Sequence, residues 1–487
     1  MKQIGDWALA MAVARGASHA EARIVHERAR SLGTRNGRVA VAAEGESLGV
    51  GVRVLCEGGW GFAATQELTR DGVERCAALA VEIAKASARV QREPVQLLPE
   101  PAAVAEWSSP CKVDPFAVPI EQNFELLRKI DAALTAVEGV TLAETSMIFR
   151  RYEQWFYSSE GAAIHQTRTT TGAGFAAHAF EGDSIQTRSY PNSFGGQYQN
   201  KGYELVDELR LLENAERVAR ECVALLKAPQ CPEGRLDLVL DSSQLGLQIH
   251  ESIGHPIELD RVLGYEANFA GTSFLTLDKL HTLRYGSPLV NVVADARPEH
   301  GPGLGTFAYD DEGVAAQCVP IIMQGRFEGY LSSRDTAAMI GRGRSGGHMR
   351  AEGWARVPIV RMSNVSILPG ERPLSFEDLI ASTDDGIYME TNRSWSIDDK
   401  RFNFQFGCEA AWEIKGGKLG RMLRNPSYSG ITTEFWNSMD AICDRSEWTL
   451  WGTPNCGKGQ PEQGMGTGHG AAPARFRQVK VGGAYGG

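Results

Sequence analysis

A chain of 487 residues with 43% apolar and 23% charged residues has the make-up of an ordinary folded protein, long enough for about two to four domains. A formal net charge of −10 without any Lys/Arg run argues against recognition of nucleic acid through a general basic face. No segment reaches the roughly 20 unbroken apolar residues of a membrane span, and nine scattered cysteines with no C-x-x-C argue against a disulfide framework.

The first residues, "MKQIGDWALAMAVARG", are broken by Asp6 and read as an amphipathic helix over 4–14 rather than a secretory signal, so a cytoplasmic location is expected. "ARIVHERARS", "RVAVAAE" and "GVGVRVLCEGGWGFAAT" alternate apolar and polar residues around "RNG" and "EGG" turns and predict an antiparallel meander. "RDGVERCAALAVEIAKASA" has helical spacing. The Pro-rich "REPVQLLPEPAAVAEWSSPCKVDP" loses periodicity and reads as a linker. A second helix at "IEQNFELLRKIDAALTAV", several strands from "GVTLAETSMIF" onward and one long helix, "ELVDELRLLENAERVARECVALLKA", repeat the order of the first part, which suggests a weak internal repeat. "RLDLVLD" is a buried strand, and Ser242 or Ser243 is placed to cap the helix that follows. Beyond about 290, short apolar runs between Gly turns predict mostly antiparallel sheet, and the tail "GGAYGG" reads as disordered. The fold expected is α+β. An N-terminal α/β domain (1–95), a linker (96–118) and a middle α/β domain (119–230) precede a β-rich domain (231–487) that carries the site.

The chemistry concentrates in "HESIGHPIELD", residues 250–260. Neutral imidazole is a good zinc ligand, and a glutamate beside the first histidine is placed to take a proton from a water. The histidines of the common H-E-x-x-H motif are four apart, about 40° around an α-helix, whereas His250 and His255 are five apart, about 140°. For both to reach one ion the helix must loosen into a π-type bulge or end before His255. Gly254 and Pro256 are read as permitting this, the proline by disfavouring αR at His255. Glu258 and Asp260 stand open as a third ligand, as partners of an imidazole, or as solvated carboxylates. Far downstream, "WGTPNCGKGQPEQGMGTGHG" places Cys456 and His469 in what reads as a loop.

Together, "HESIGHPIELD", "RPEHGPGLGTFAYDDEGV", "GYLSSRDTAAMIGRGRSGGHMRAEGWARVPIVRMSNVSILPG" and "NCGKGQPEQGMGTGHGAAPARF" resemble the TldD/PmbA family of metallopeptidases, historically described as modulators of DNA gyrase. The intact H-E-x-x-x-H is similar to the TldD type, which is catalytic, rather than to the PmbA (TldE) type, which lacks it. The resemblance implies one Zn2+ per chain held by His250, His255 and Cys456, with Glu251 as the catalytic base acting on zinc-bound water. It implies cleavage of peptides or small unfolded proteins in an enclosed cleft, and a dimer, either with a TldE/PmbA-type subunit or with a second copy. No nucleic acid or membrane partner is expected. For the transition state His469 is the candidate contact, with Tyr265 and Arg401 as alternatives, and "GRGRSGGHMRAEGW" is a candidate channel lining. The competing readings are a non-catalytic peptide-binding or regulatory partner subunit and a regulator of a DNA enzyme.

Overall fold

The structure, a computed structural model, describes residues 1–482. Helix α1 (Lys2–Ala14) leads into strands β1 (His19–Arg35), β2 (Arg38–Cys56) and β3 (Gly59–Thr65). The two hairpin loops are Asn36–Gly37 and Glu57–Gly58, all four residues at positive φ, the backbone that two-residue hairpin loops demand. The runs "RVAVAAE" and "GVGVRVLC" are halves of one 19-residue strand, because Gly45 stays paired with Ala29 instead of turning the chain. Helix α2 (Arg70–Val90) starts where the Thr69 hydroxyl accepts from the Gly72 amide.

The Pro-rich segment holds strand β4 (Val104–Ser108), which pairs parallel with β6. After α3 (Ile120–Thr135) come β5 (Val140–Ser158), β6 (Ala163–Glu181), β7 (Ser184–Tyr190) and β8 (Gln197–Gln199). The long helix expected next is two helices, α4 (Glu204–Glu208) and α5 (Leu211–Lys227), because Arg210 between them is left-handed (φ 48°). The strands form one sheet in the order β3-β2-β1-β5-β6-β4, with β7 and β8 also on β6.

Residue alternation gives this sheet two unlike faces. Ala22, Ile24 and Val52 meet α1 and α2, while Met147, Phe149 and Phe175 meet α3 and α5. The opposite face carries Glu21, Arg23, Tyr152, Gln166 and Arg168, polar residues that a helix-covered face would not tolerate. It packs against the rest of the chain. Gln166 donates to the Tyr309 carbonyl at 2.9 Å, Arg23 to the Gly353 carbonyl at 2.7 Å, and Arg53 bridges Glu21 and Glu312.

Past α5, strand β9 (Gly234–Leu240) pairs parallel with Asp385–Ile397 and antiparallel with Ala474–Val481. Ser427–Ile431 and Asn403–Lys415 continue the sheet, and Asn403–Lys415 pairs back onto Asp385–Ile397. Five strands thus close a ring, which leaves few free edges. This half is β-rich, as expected. No helix among the described residues is long and apolar enough to cross a membrane. Beyond Gly482, the expectation for the "GGAYGG" tail lies outside the described residues.

Candidate metal centre

Strand β9 ends at the base of α6 (Ser242–Ile249), whose cap is Asp241, not a serine; its carboxylate accepts from the Ser243 and Gln244 amides at 2.7 and 3.0 Å. The helix then widens without stopping. His250–Gly254 is a π turn, and the His255 amide donates to the His250 carbonyl, five residues back, at 3.1 Å. In a π turn residues five apart stack as residues four apart do in an α-helix. The two imidazoles therefore meet, with ring centroids 4.8 Å apart.

Two expectations about this turn change. His255 remains helical (φ −67°, ψ −43°) in spite of Pro256, and Gly254 is not among the positive-φ glycines. Gly254 is needed for space, since a Cβ there would lie 2.0 Å from the Met362 sulfur. The part played by Pro256 is the donor it lacks. An α-helix would satisfy the Ser252 carbonyl with the amide of residue 256, and proline has none. The Tyr285 hydroxyl donates to that carbonyl instead. Ser252 Oγ in turn donates to the Gln248 carbonyl and accepts from the indole of Trp436.

Cys456 does not lie in a loop. It sits on strand Thr449–Lys458, paired with Gln463–Ala471 in a hairpin, and is buried (4% exposed). Its sulfur is 3.6 Å from His255 Nε2, and the donor atoms of His250, His255 and Cys456 all lie within 4.8 Å of one another. His469, also read as a loop residue, is on the second strand of that hairpin and fully buried.

Each imidazole is held from behind. His255 Nδ1 faces the Glu258 carboxylate at 3.0 Å, so that nitrogen donates and Nε2 is left for the site. His250 Nδ1 is 2.7 Å from His469 Nε2, and His469 Nδ1 donates to the Val365 carbonyl at 2.9 Å. That carbonyl fixes the proton of His469 on Nδ1, so its Nε2 accepts from His250 Nδ1–H and His250 Nε2 is free. Both nitrogens of His469 are engaged, which sets it behind a ligand rather than facing a cleft. Of the two carboxylates left open, Glu258 is the imidazole partner. Asp260 accepts from Lys458 Nζ at 2.7 Å and so ties the π-turn segment to the strand of Cys456.

Burial pushes the pKa of His250 down and that of His255 well down, so both are neutral imidazoles at ordinary pH. For Cys456 burial acts the other way, but the Arg361 guanidinium and His255 outweigh it and hold the thiol below its usual value. Arg361 also donates to the Cys456 carbonyl at 2.6 Å. Two neutral nitrogens and a readily ionised sulfur, buried and converging, suit zinc. Glu251, next to His250, is bound by Arg401, whose guanidinium lies 2.5 Å from Oε2. Arg401 is left-handed (φ 65°) in a turn secured by Asp398 and Thr432, and its Nε has no partner. Tyr265 is 60% exposed and contacts Met339, away from this cluster. From "GRGRSGGHMRAEGW", Arg350 reaches the Met362 and Gly466 carbonyls at 2.6 and 2.9 Å. Sequence reasoning did not find Arg361, Lys458 or Tyr285.

Residues 20–84, 113–228 and 233–483 match, in turn, domain 1, the central domain and the C-terminal domain of the PmbA/TldA metallopeptidases. A metalloprotease of Methanocaldococcus jannaschii is 30% identical, over 93% of this chain and 95% of its own length. A metalloprotease TldD homolog of Haemophilus influenzae is 27% identical over 89% and 86%. A zinc metalloprotease TldD homolog of Saccharolobus solfataricus is 23% identical over 82% and 83%. Among solved structures, a protein described as a modulator of DNA gyrase from Thermotoga maritima superposes with TM-score 0.77 at 17% identity, covering 99% of this chain and 100% of that one. TldE from Thermococcus kodakarensis does so with TM-score 0.72 at 15%, with coverage of 99% and 100%. At such identities these two likenesses speak for the fold.

Proposed function

Since the chain belongs to the PmbA/TldD family of metallopeptidases, we propose that it is a zinc-dependent peptidase of the TldD type, with His250, His255 and Cys456 as ligands of one zinc ion and Glu251 as its base. The observation that carries this reading is the convergence of those three buried donors within 4.8 Å beside a carboxylate. The hydrogen bonds behind them support it further, because each histidine spends Nδ1 on an acceptor and keeps Nε2 for the site. The substrates we assign are peptides or small unfolded proteins, taken into an enclosed cleft.

A bound zinc ion supplies Lewis acidity, polarising the scissile carbonyl and easing loss of a proton from water. The rest falls to the chain. Glu251 takes the proton of the attacking water and delivers it to the leaving amine. Arg401 grips Glu251 Oε2, so Oε1 is the oxygen left to carry that proton. Arg401 is also the charged donor nearest the base, which suits it better than His469 or Tyr265 to meet negative charge on the carbonyl oxygen. Glu258 and His469 orient the imidazoles. Arg361, and Lys458 acting on Asp260, position the strand that delivers Cys456.

In the first sheet, the order β3-β2-β1-β5-β6-β7 places two helix–meander–helix units back to back across an antiparallel β1–β5 pair, which supports reading them as copies of one plan. We keep the division 1–95, 119–230 and 231–487 with a linker between the first two, and take the working unit as a dimer with a TldE-type subunit or a second copy.

The deciding experiment is Glu251→Gln, assayed on an unfolded peptide with metal content measured in parallel. Zinc is retained near one per chain and cleavage is lost. Zinc near zero in the wild-type protein, with no activity restored by added metal, would leave the non-catalytic partner as the better reading.

A further inference from the structure

A cavity of 240 Å³ lies between the first sheet and the 449–471 hairpin, apart from the metal ligands, none of which lines it. Its sheet wall belongs to the face the helices leave bare. Glu27, Tyr152 and Arg168 stand side by side across β1, β5 and β6, and Arg150 and Thr170 form the next row. The opposite wall includes Met465, which stands across the hairpin from Cys456. The cavity and the metal centre are thus served by one pair of strands.

The charges around this space are unevenly matched. Among the described residues, Arg150 and Arg168 have no hydrogen bond and no ion pair; Arg168 lies over the Tyr152 ring, 4.4 Å from its centroid. Two carboxylates that share the cavity are engaged elsewhere. Asp311 accepts from the Ala351 amide at 2.7 Å and faces Arg23 at 4.0 Å, while Glu352 accepts from the Gly464 amide at 2.8 Å. Arg350, also in the lining, is buried with an unpartnered Nε and donates only to carbonyls. Glu27 remains as the one unengaged acid against two unengaged guanidiniums.

We propose that this cavity is a carboxylate-binding subsite for the substrate peptide, with Arg150 and Arg168 holding the anionic group while the chain runs past Met465 toward Cys456. The proposal rests on the peptidase reading and names what that peptidase selects. A guanidinium fork fits a carboxylate with two parallel hydrogen bonds, and the fit is strong where water is scarce. The space equals that of about eight waters at ~30 Å³ each, enough for one or two residues. The carboxylate has two sources, a free C-terminus or an Asp/Glu side chain.

The test uses the full-length, zinc-loaded protein and one peptide sequence in four forms: C-terminal amide, free acid, amide with an internal Glu, and amide with Gln in its place. Wild type is expected to favour a carboxylate form at least tenfold in kcat/KM, chiefly through KM, and the free-acid and Glu arms identify the source. Arg168→Gln and Arg150→Gln are expected to cut that ratio below threefold, and Arg168→Lys to keep part of it. Arg128→Gln, on the outer side of α3, keeps all of it. Unchanged zinc content and thermal midpoint certify the variants, and the exposed Arg150 decides alone if Arg168→Gln does not fold. Equal kcat/KM for acid and amide, or a preference that survives both substitutions, overturns the subsite. Affinity of the same peptides for Glu251→Gln is measured as well. Absence of all cleavage then counts against the peptidase, whereas equal affinity for acid and amide counts against the subsite.

Discussion

His469 Nε2 accepts from His250 Nδ1 at 2.7 Å, joining two residues 219 positions apart in the chain. Through this bond a carbonyl of the small four-stranded sheet, that of Val365, sets the tautomer of a proposed zinc ligand. His469→Ala removes the acceptor and lets His250 turn or change tautomer. Loss of such a partner typically costs 10–100-fold in metal affinity, so a fall of about tenfold or more is expected in competition with a chelator. An unchanged zinc affinity would show that His250 needs no orienting partner.

Of the nine cysteines, Cys456 alone belongs to the donor cluster. Cys456→Ala is expected to abolish stoichiometric zinc binding, whereas Cys443→Ala, buried elsewhere, keeps it. Elemental analysis of the two purified variants settles the matter, and equal zinc loss in both contradicts the ligand assignment.

Lys458 is fully buried beside Asp260 and Glu258. Lys458→Met leaves both carboxylates without their cation, a change of the kind that costs about 3–5 kcal/mol. The expected result is a thermal midpoint lowered by several degrees, together with weakened zinc binding, because the same lysine fixes the strand of Cys456. A midpoint within a degree of wild type contradicts this account.

Gly254→Ala puts a methyl group against the Met362 sulfur. Overpacking of this kind costs about 1–3 kcal/mol. Met362→Ala, combined with it, is expected to recover part of the loss, since the clash has then been removed. If the two losses simply add in denaturant melts, the reason for glycine at this position is some other one.

The site was legible in the sequence where its chemistry is local. His250, Glu251 and His255 declared themselves by type and spacing, and the spacing itself called for the π turn. Cys456 was found through resemblance, and its surroundings misled. A strand written "TLWGTPNCGK", opposite "QGMGTGHGA", reads as a loop because glycines supply no apolar alternation. Glycine is used there for close approach. A Cβ at Gly470 would lie 1.8 Å from the Trp448 ring, and one at Gly468 2.1 Å from the Asn364 side chain. Burial from both sides hid His469 in the same way. Arg361, Lys458 and Tyr285 left no trace, because their partners are backbone carbonyls or distant carboxylates that no short pattern records. In the first sheet the alternation was legible but its ends were not. Arg210 breaks a helix that its neighbours' periodicity carries straight through.

The π turn also fixes the phase of everything after it. Deleting one residue between His250 and His255 would restore the commoner four-residue interval, and the two imidazoles would still meet. The deletion would also rotate the following segment by about 100° and draw it back by about 1.5 Å along the helix axis. Glu258 would then leave His255, and Asp260 would miss Lys458. The additional residue is therefore a setting of the whole turn against the hairpin that supplies the sulfur, and shortening the motif would keep two ligands in register while putting the third out of step.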